Sequence, residues 1–192
     1  MHPSTPAPAV LMVRPAAFGF NPETAASNRF QRDVGVPAID PATAARAEFD
    51  LPATALRSEG SATCVVEDCC PPARPDAVFP NNWISFHDDG SVVLYPMQAA
   101  NRRLERRTDV VTRVAAQLGF RLRRLVDLTH HERRERFLEG TGSLVIDHRA
   151  RRAFACRSSR TDGGVAAEWA RELGYELVLF LRPTVIRGAG TG

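Results

Sequence analysis

The sequence predicts a mixed α/β fold assembled from repeated units, and three observations predict it. Short β-rich runs alternate with longer amphipathic helical stretches. The order hairpin, helix, strand occurs twice in succession. The triplets Leu118-Gly119-Phe120 and Leu173-Gly174-Tyr175, each closing a helical stretch, stand 55 residues apart, which marks an internal repeat.

Taken in order, "VLMVR" reads as a strand, Pro41 to about Arg57 as a helical stretch that Pro52 kinks or splits, and "ATCVVE" as a strand. "WISFH" and "SVVLY" flank "DDG", a tight-turn sequence, and predict a β-hairpin over residues 83–95. In "TDVVTRVAAQLGF", Thr108 or Asp109 caps the start, Val110, Val111, Val114 and Leu118 share a face, and Gly119 ends the helix. "RLRRLVDL" follows as a strand. The second pass runs "SLVID", a turn at "HRAR", "RAFAC", a helix capped by Asp162 and closed by Gly174, then "ELVLF". Three related units of about 55 to 60 residues result. Residues 1–9, rich in Pro and Ala, read as a loose tail.

Composition narrows the function. A chain of 192 residues, 44% of them apolar, is long enough for a sizeable core. Its longest apolar runs are too short to span a bilayer and no basic region precedes the first, so a cytoplasmic chain without a membrane partner is expected. All 25 basic residues are arginine, yet they are interleaved with acids and the net charge is only +3, which favours a solvated charged face over a nucleic-acid patch. Cys64, Cys69, Cys70 and Cys156 form no paired C-x-x-C set, so neither a metal site nor a disulfide framework is indicated, and no cofactor is expected. Cys156, inside "RAFAC", reads as a core thiol.

The repeat also isolates two polar residues. Glu139, in "FLEGTGSLVID", stands just before the first strand of its unit, and Asn82 stands at the same place in the unit before, 57 residues earlier. Units packed around an axis would present both to one shared centre. Spacing alone is met equally by a loop-ending asparagine and by a glutamate paired with one of the arginines.

The segments "VLMVRPAAFGFNPETAASNRFQ", "PDAVFPNNWISFHDDGSVVLYPMQAANRRLER" and "FLEGTGSLVIDHRARRAFACRSSRTD" resemble the citrulline utilisation hydrolase family, within the amidinotransferase and arginine deiminase (pentein) superfamily. The resemblance runs from about residue 10 to residue 180. It implies a pentein-type α/β propeller of ββαβ units around a polar channel, about three of five blades being present, and hydrolysis of the ureido or guanidino C–N bond of citrulline or an arginine-like amino acid by a cysteine thiolate.

By that resemblance Glu139 is a catalytic carboxylate that holds the substrate nitrogens. Asn82 falls where guanidine-modifying relatives carry an aspartate, and an amide offers a neutral ureido group both a donor and an acceptor. Asn81 beside it joins the expected substrate-binding set. Arg160, in "SSRTD", resembles an arginine that binds the substrate's α-carboxylate, and Arg103, in "NRRLE", a second arginine at that end. The family continues into a unit bearing a histidine in "HTNV" and another bearing the nucleophilic cysteine. The last residues here, 181–192, match neither, so the chain is expected to be a truncated, inactive fragment whose open blade faces self-associate. The alternative is a non-catalytic ligand-binding or protein-interaction module.

Overall fold

Each long helix of this chain carries the backbone back to lie parallel with the strand it left. The computed structural model describes residues 9–28, 31, 32, 35 and 39–181. The expected N-terminal tail lies outside the described residues except for Ala9, which opens β1, and the expected C-terminal tail lies outside them except for Leu181.

In the first unit β1 (Ala9–Arg14) leads through the short α1 (Pro22–Ala25) and the long α2 (Pro41–Ser58) to β2 (Ala62–Glu67), which pairs parallel to β1. Of the kink or split expected at Pro52, the split does not occur: α2 is continuous from Pro41 to Ser58. Pro52 sits on the exposed face, where water can take up the carbonyl it leaves unpaired, and buried Phe49 and Ala53 seat the helix on either side of it.

The second unit is β3 (Ile84–Phe86), β4 (Ser91–Leu94), the short α3 (Ala100–Arg103), α4 (Thr108–Leu118) and β5 (Arg124–Asp127). β3 runs antiparallel and β5 parallel to β4. The third unit repeats this after the one-turn α5 (Gly140–Ser143), with β6 (Leu144–Asp147), β7 (Arg152–Arg157), α6 (Gly163–Leu173) and β8 (Glu176–Leu181). β7 pairs antiparallel with β6 and parallel with β8. The repeat inferred from Gly119 and Gly174 is therefore structural: both end their helices in the left-handed region, at φ +66° and +68°. β5 is shorter than "RLRRLVDL" suggested because its partner β4 offers only the four positions Ser91–Leu94.

Helix starts differ between the repeats. Asp162 accepts from the backbone N–H groups of Gly164 and Val165, as expected, whereas α4 begins after Arg107 with no side-chain cap. Thr108 and Asp109 lie inside its first turn, and the Asp109 carboxylate is taken by Arg107 and Arg113.

Alternation along β4 decides how the units stack. Val92 enters an apolar cluster with Cys64, Val66, Trp83, Val110 and Val114, while Val93 faces a second cluster with Leu138, Leu144, Ala153, Val165 and Trp169. Both valines are fully buried, so the middle sheet is covered on both faces. Tyr95 fastens the second unit to the third, its hydroxyl accepting from Trp169 Nε1 at 2.9 Å and lying 2.8 Å from Ser85 Oγ. Burial pushes the Tyr95 phenol up to about 12. On β7, Ala153 and Ala155 enter the core, and Cys156 is half-buried on the opposite face rather than in the core as expected. No described helix is long and apolar enough to cross a membrane.

Candidate active site

Two equivalent strand entries meet at the candidate site. The 3-10 turn Pro80–Asn82 precedes β3, α5 precedes β6, and the glycines of "EGTG" let the two segments touch. A Cβ at Gly140 would stand 2.1 Å from the Asn81 carbonyl oxygen, and one at Gly142 would stand 2.4 Å from Asn82 Nδ2. Gly140 also has φ +44°, so both its space and its backbone call for glycine.

This contact brings Asn82 and Glu139 together, as their matching places in the repeat suggested. Asn82 Nδ2 donates to the Glu139 carbonyl at 3.3 Å, and the Glu139 N–H donates to Ser143 Oγ at 2.9 Å. The Glu139 side chain is only 3% exposed, so a bare carboxylate would be costly there. It has two partners. Oε1 accepts from the Gln98 N–H at 2.9 Å, and Oε2 accepts from Arg160 Nε at 2.8 Å and Nη2 at 2.6 Å. Arg160 follows β7, its carbonyl accepts from Ser143 Oγ, and its side chain remains about a quarter exposed at 24%.

The other expected residues are placed differently. Asn81 is exposed and donates to Thr141 Oγ1 at 2.8 Å. Arg103 touches neither Asn82 nor Glu139 by hydrogen bond. It donates to the carbonyls of Met97 and Gln98 at 2.9 and 3.1 Å, bracing the loop whose N–H reaches Glu139. Sequence reasoning missed its neighbour Arg102, which is 4% exposed and donates to Asn82 Oδ1 at 3.1 Å. Arg102 also forks onto Glu105, with both N···O distances 2.9 Å. Asp76 lies 3.8 Å from Arg102 and accepts from the fully buried Asn21 at 2.6 Å. Glu105 stands three residues on, in the turn just past α3, but the other arginines of "NRRLERR" have an acid equally near, so spacing did not single out Arg102.

Burial pushes the Glu105 carboxyl up to about 7, against the pull of the Arg102 guanidinium. A cavity of about 340 Å3 lies beside the site, lined by Glu23, Ser27, Gln98, Ala99 and Ser159 among others. A larger cavity, about 850 Å3, is an apolar groove between β1, α2 and β3 that includes neither Glu139 nor Arg160.

Among the described residues no cysteine or histidine bonds to Glu139 or Arg160. Cys64 is a core thiol that burial pushes up, and Cys69 and Cys70 are exposed on the segment after β2. His87 pairs with Ser85, His131 with Glu168 and His148 with Tyr175, while His130 lies against the Asp127 carbonyl. His130 and His131 stand on the 3-10 turn Thr129–Arg134 that follows β5. The cluster sets a buried carboxylate acceptor, Glu139, against a partly exposed guanidinium donor, Arg160.

Solved structures share this fold. Dimethylarginine dimethylaminohydrolase, as an adduct with S-methyl-L-thiocitrulline, is 15% identical with a TM-score of 0.61 over 92% of this chain and 62% of that one. The N-terminal domain of ArgZ, a cyanobacterial arginine dihydrolase, solved with its substrate, is 17% identical with a TM-score of 0.59 over 90% of this chain and 57% of that one. Dimethylarginine dimethylaminohydrolase from Pseudomonas aeruginosa, in complex with citrulline, is 13% identical with a TM-score of 0.56 over 92% of this chain and 62% of that one. The chain therefore spans about three-fifths of the length of these proteins. No curated protein matches it in sequence. Residues 14–184 match the family described as N,N dimethylarginine dimethylhydrolase, eukaryotic, and with that match over most of its length the chain belongs to this family, within the pentein, amidinotransferase-like group that its motifs resemble.

Proposed function

We propose that this chain carries the substrate-binding part of a hydrolase that cleaves the ureido or guanidino C–N bond of citrulline or an arginine-like amino acid. The observation that carries the reading is the buried Glu139 carboxylate, closed on one side by a partly exposed guanidinium and on the other by a backbone N–H. A ligand α-carboxylate competes for Arg160, and the freed Glu139 Oε2 accepts from the ligand's terminal nitrogens. Asn82 and Asn81 border the reacting end. Arg103 acts as a positioning residue, through the carbonyls of Met97 and Gln98. The citrulline and substrate complexes of the similar structures support this substrate class.

In the proposed reaction a cysteine thiolate attacks the ureido or guanidino carbon and a histidine moves the proton. Neither stands against Glu139 among the described residues, so the chain alone binds without turnover. The test is a calorimetric titration with L-citrulline and L-arginine, together with an assay for released ammonia. Saturable binding that Glu139→Gln weakens about tenfold or more, without product, fits the reading. No heat with either ligand at millimolar concentration overturns it.

The outer face of the third sheet favours a second reading, in which the chain is an interaction module. Val145 is 71% exposed and Phe180 49%, whereas the corresponding face of the middle sheet is covered by the next unit. Self-association that Val145→Glu and Phe180→Glu abolish, with no ligand binding by the original chain, would select this reading.

A further inference from the structure

The 3-10 turn after β5 leans against α6 of the next unit and sets His130 and His131 side by side, their ring centroids 4.1 Å apart. His131 is 5% exposed, and its Nε2 lies 2.8 Å from Glu168 Oε2. Its Nδ1 is buried and has no partner among the described residues. An N–H on Nε2 donates to Glu168 but leaves the buried Nδ1 lone pair bare, and the other tautomer sets a lone pair against the carboxylate. Neither neutral form is satisfied by the protein alone. His130 is exposed and has Nδ1 3.1 Å from the Asp127 carbonyl. A proton held there leaves Nε2 as a free donor, a common arrangement for an imidazole that binds metal.

One donor atom from each of His130, His131 and Glu168 lies within 4.8 Å of the other two. Three donors that close sit less than about 3 Å from a common centre, so inward shifts of under about 1 Å reach the usual zinc bond lengths of about 2.0–2.2 Å. We propose that His130, His131 and Glu168 form a binding site for a divalent transition-metal ion of the zinc class, with further positions left to solvent. Two imidazoles and one carboxylate suit zinc or cobalt better than magnesium or calcium, which prefer all-oxygen sets. No residue spacing hinted at it, because adjacent histidines have no ligand spacing and the carboxylate arrives 37 residues later. The ion ties the turn of the second unit to the helix of the third. Glu132 of the same turn accepts from the Met97 N–H, so the tie also braces the loop that reaches Glu139.

The experiment uses the full chain without a polyhistidine tag, stripped of metal by chelator. Zinc is titrated by calorimetry, cobalt by visible absorbance, and the melting temperature is read with and without zinc. Expected are one ion per chain at micromolar affinity or better, cobalt bands without thiolate charge transfer, and a rise in melting temperature with zinc. His130→Ala and Glu168→Gln should each weaken binding tenfold or more, while Cys69→Ser combined with Cys70→Ser should leave it unchanged. The first two lie at or near the surface, and a melting curve without metal checks that each variant folds. Absence of saturable one-to-one binding overturns the proposal. So does affinity unaltered in both His130→Ala and Glu168→Gln, or a thiolate-to-cobalt band lost with the two cysteines.

Discussion

Gly140 and Gly119 both have positive φ, yet replacing them should have very different effects. A methyl group at Gly119 meets nothing within 4 Å, so Gly119→Ala incurs only the left-handed backbone penalty of about 1–2 kcal/mol. At Gly140 the same methyl strikes the Asn81 carbonyl, and Gly140→Ala should cost about 2–4 kcal/mol in urea unfolding. Glu105 makes a pH prediction. Its folded carboxyl lies near 7, above the ordinary 4.5, so the folded chain holds this proton more tightly. The stabilising contribution is full below pH 4.5 and is lost as pH rises through 7, on the order of 2–3 kcal/mol. Carboxylates held low by arginine, such as Asp109 beside Arg107, stabilise in full above their ordinary 3.8 and lose that contribution only below it. Burial holds the His87 imidazole below its ordinary 6.5, which favours the fold as pH rises, so the Glu105 share is read by difference: from pH 4.5 to pH 8 the original chain should lose unfolding free energy relative to Glu105→Gln. At this scale Glu139 was legible because an acid between apolar residues and glycines is unusual. Arg102 was not, because burial alone separates it from its neighbours in "NRRLERR".

Periodicity revealed the helices and strands well, and backbone detail at their ends poorly. The apolar faces of α4 and α6 follow from side-chain spacing alone, and the glycines that close them follow from the left-handed residue such an ending uses. A start is harder to read, since Thr108 caps only if the chain is extended at that residue, and here the extended residue is Arg107, with φ −117°. Asp162→Ala should accordingly destabilise the protein by about 1–2 kcal/mol, through the lost cap and its bonds to Arg136, while Thr108→Ala should change stability by under about 0.5 kcal/mol. Matched thermal melts of the two variants check the difference. α2 teaches the converse lesson: a proline inside the pattern suggested a kink or a split, and an exposed position between two buried anchors lets the helix run through it unsplit.

Across the whole molecule, the repeat made the alternation of strands and helices legible and pointed to the candidate site, because equivalent strand entries of neighbouring units meet. What the sequence did not disclose is the closed state of that meeting point, with Glu139 already paired to Arg160 and Asn82 engaged by Arg102 and the Glu139 backbone. Ligand binding in this account is therefore an exchange: a substrate carboxylate replaces the Glu139 carboxylate on Arg160, and substrate nitrogens replace the guanidinium on Glu139. The most direct test compares the affinities of L-citrulline and its decarboxylated analogue for the original chain and for Arg160→Ala. The original chain should prefer citrulline by about ten- to a hundredfold, the usual range for hydrogen bonds between charged groups, and Arg160→Ala should bind the two alike. An affinity ratio unchanged by Arg160→Ala would mean that Arg160 serves only to neutralise Glu139, and would contradict the account.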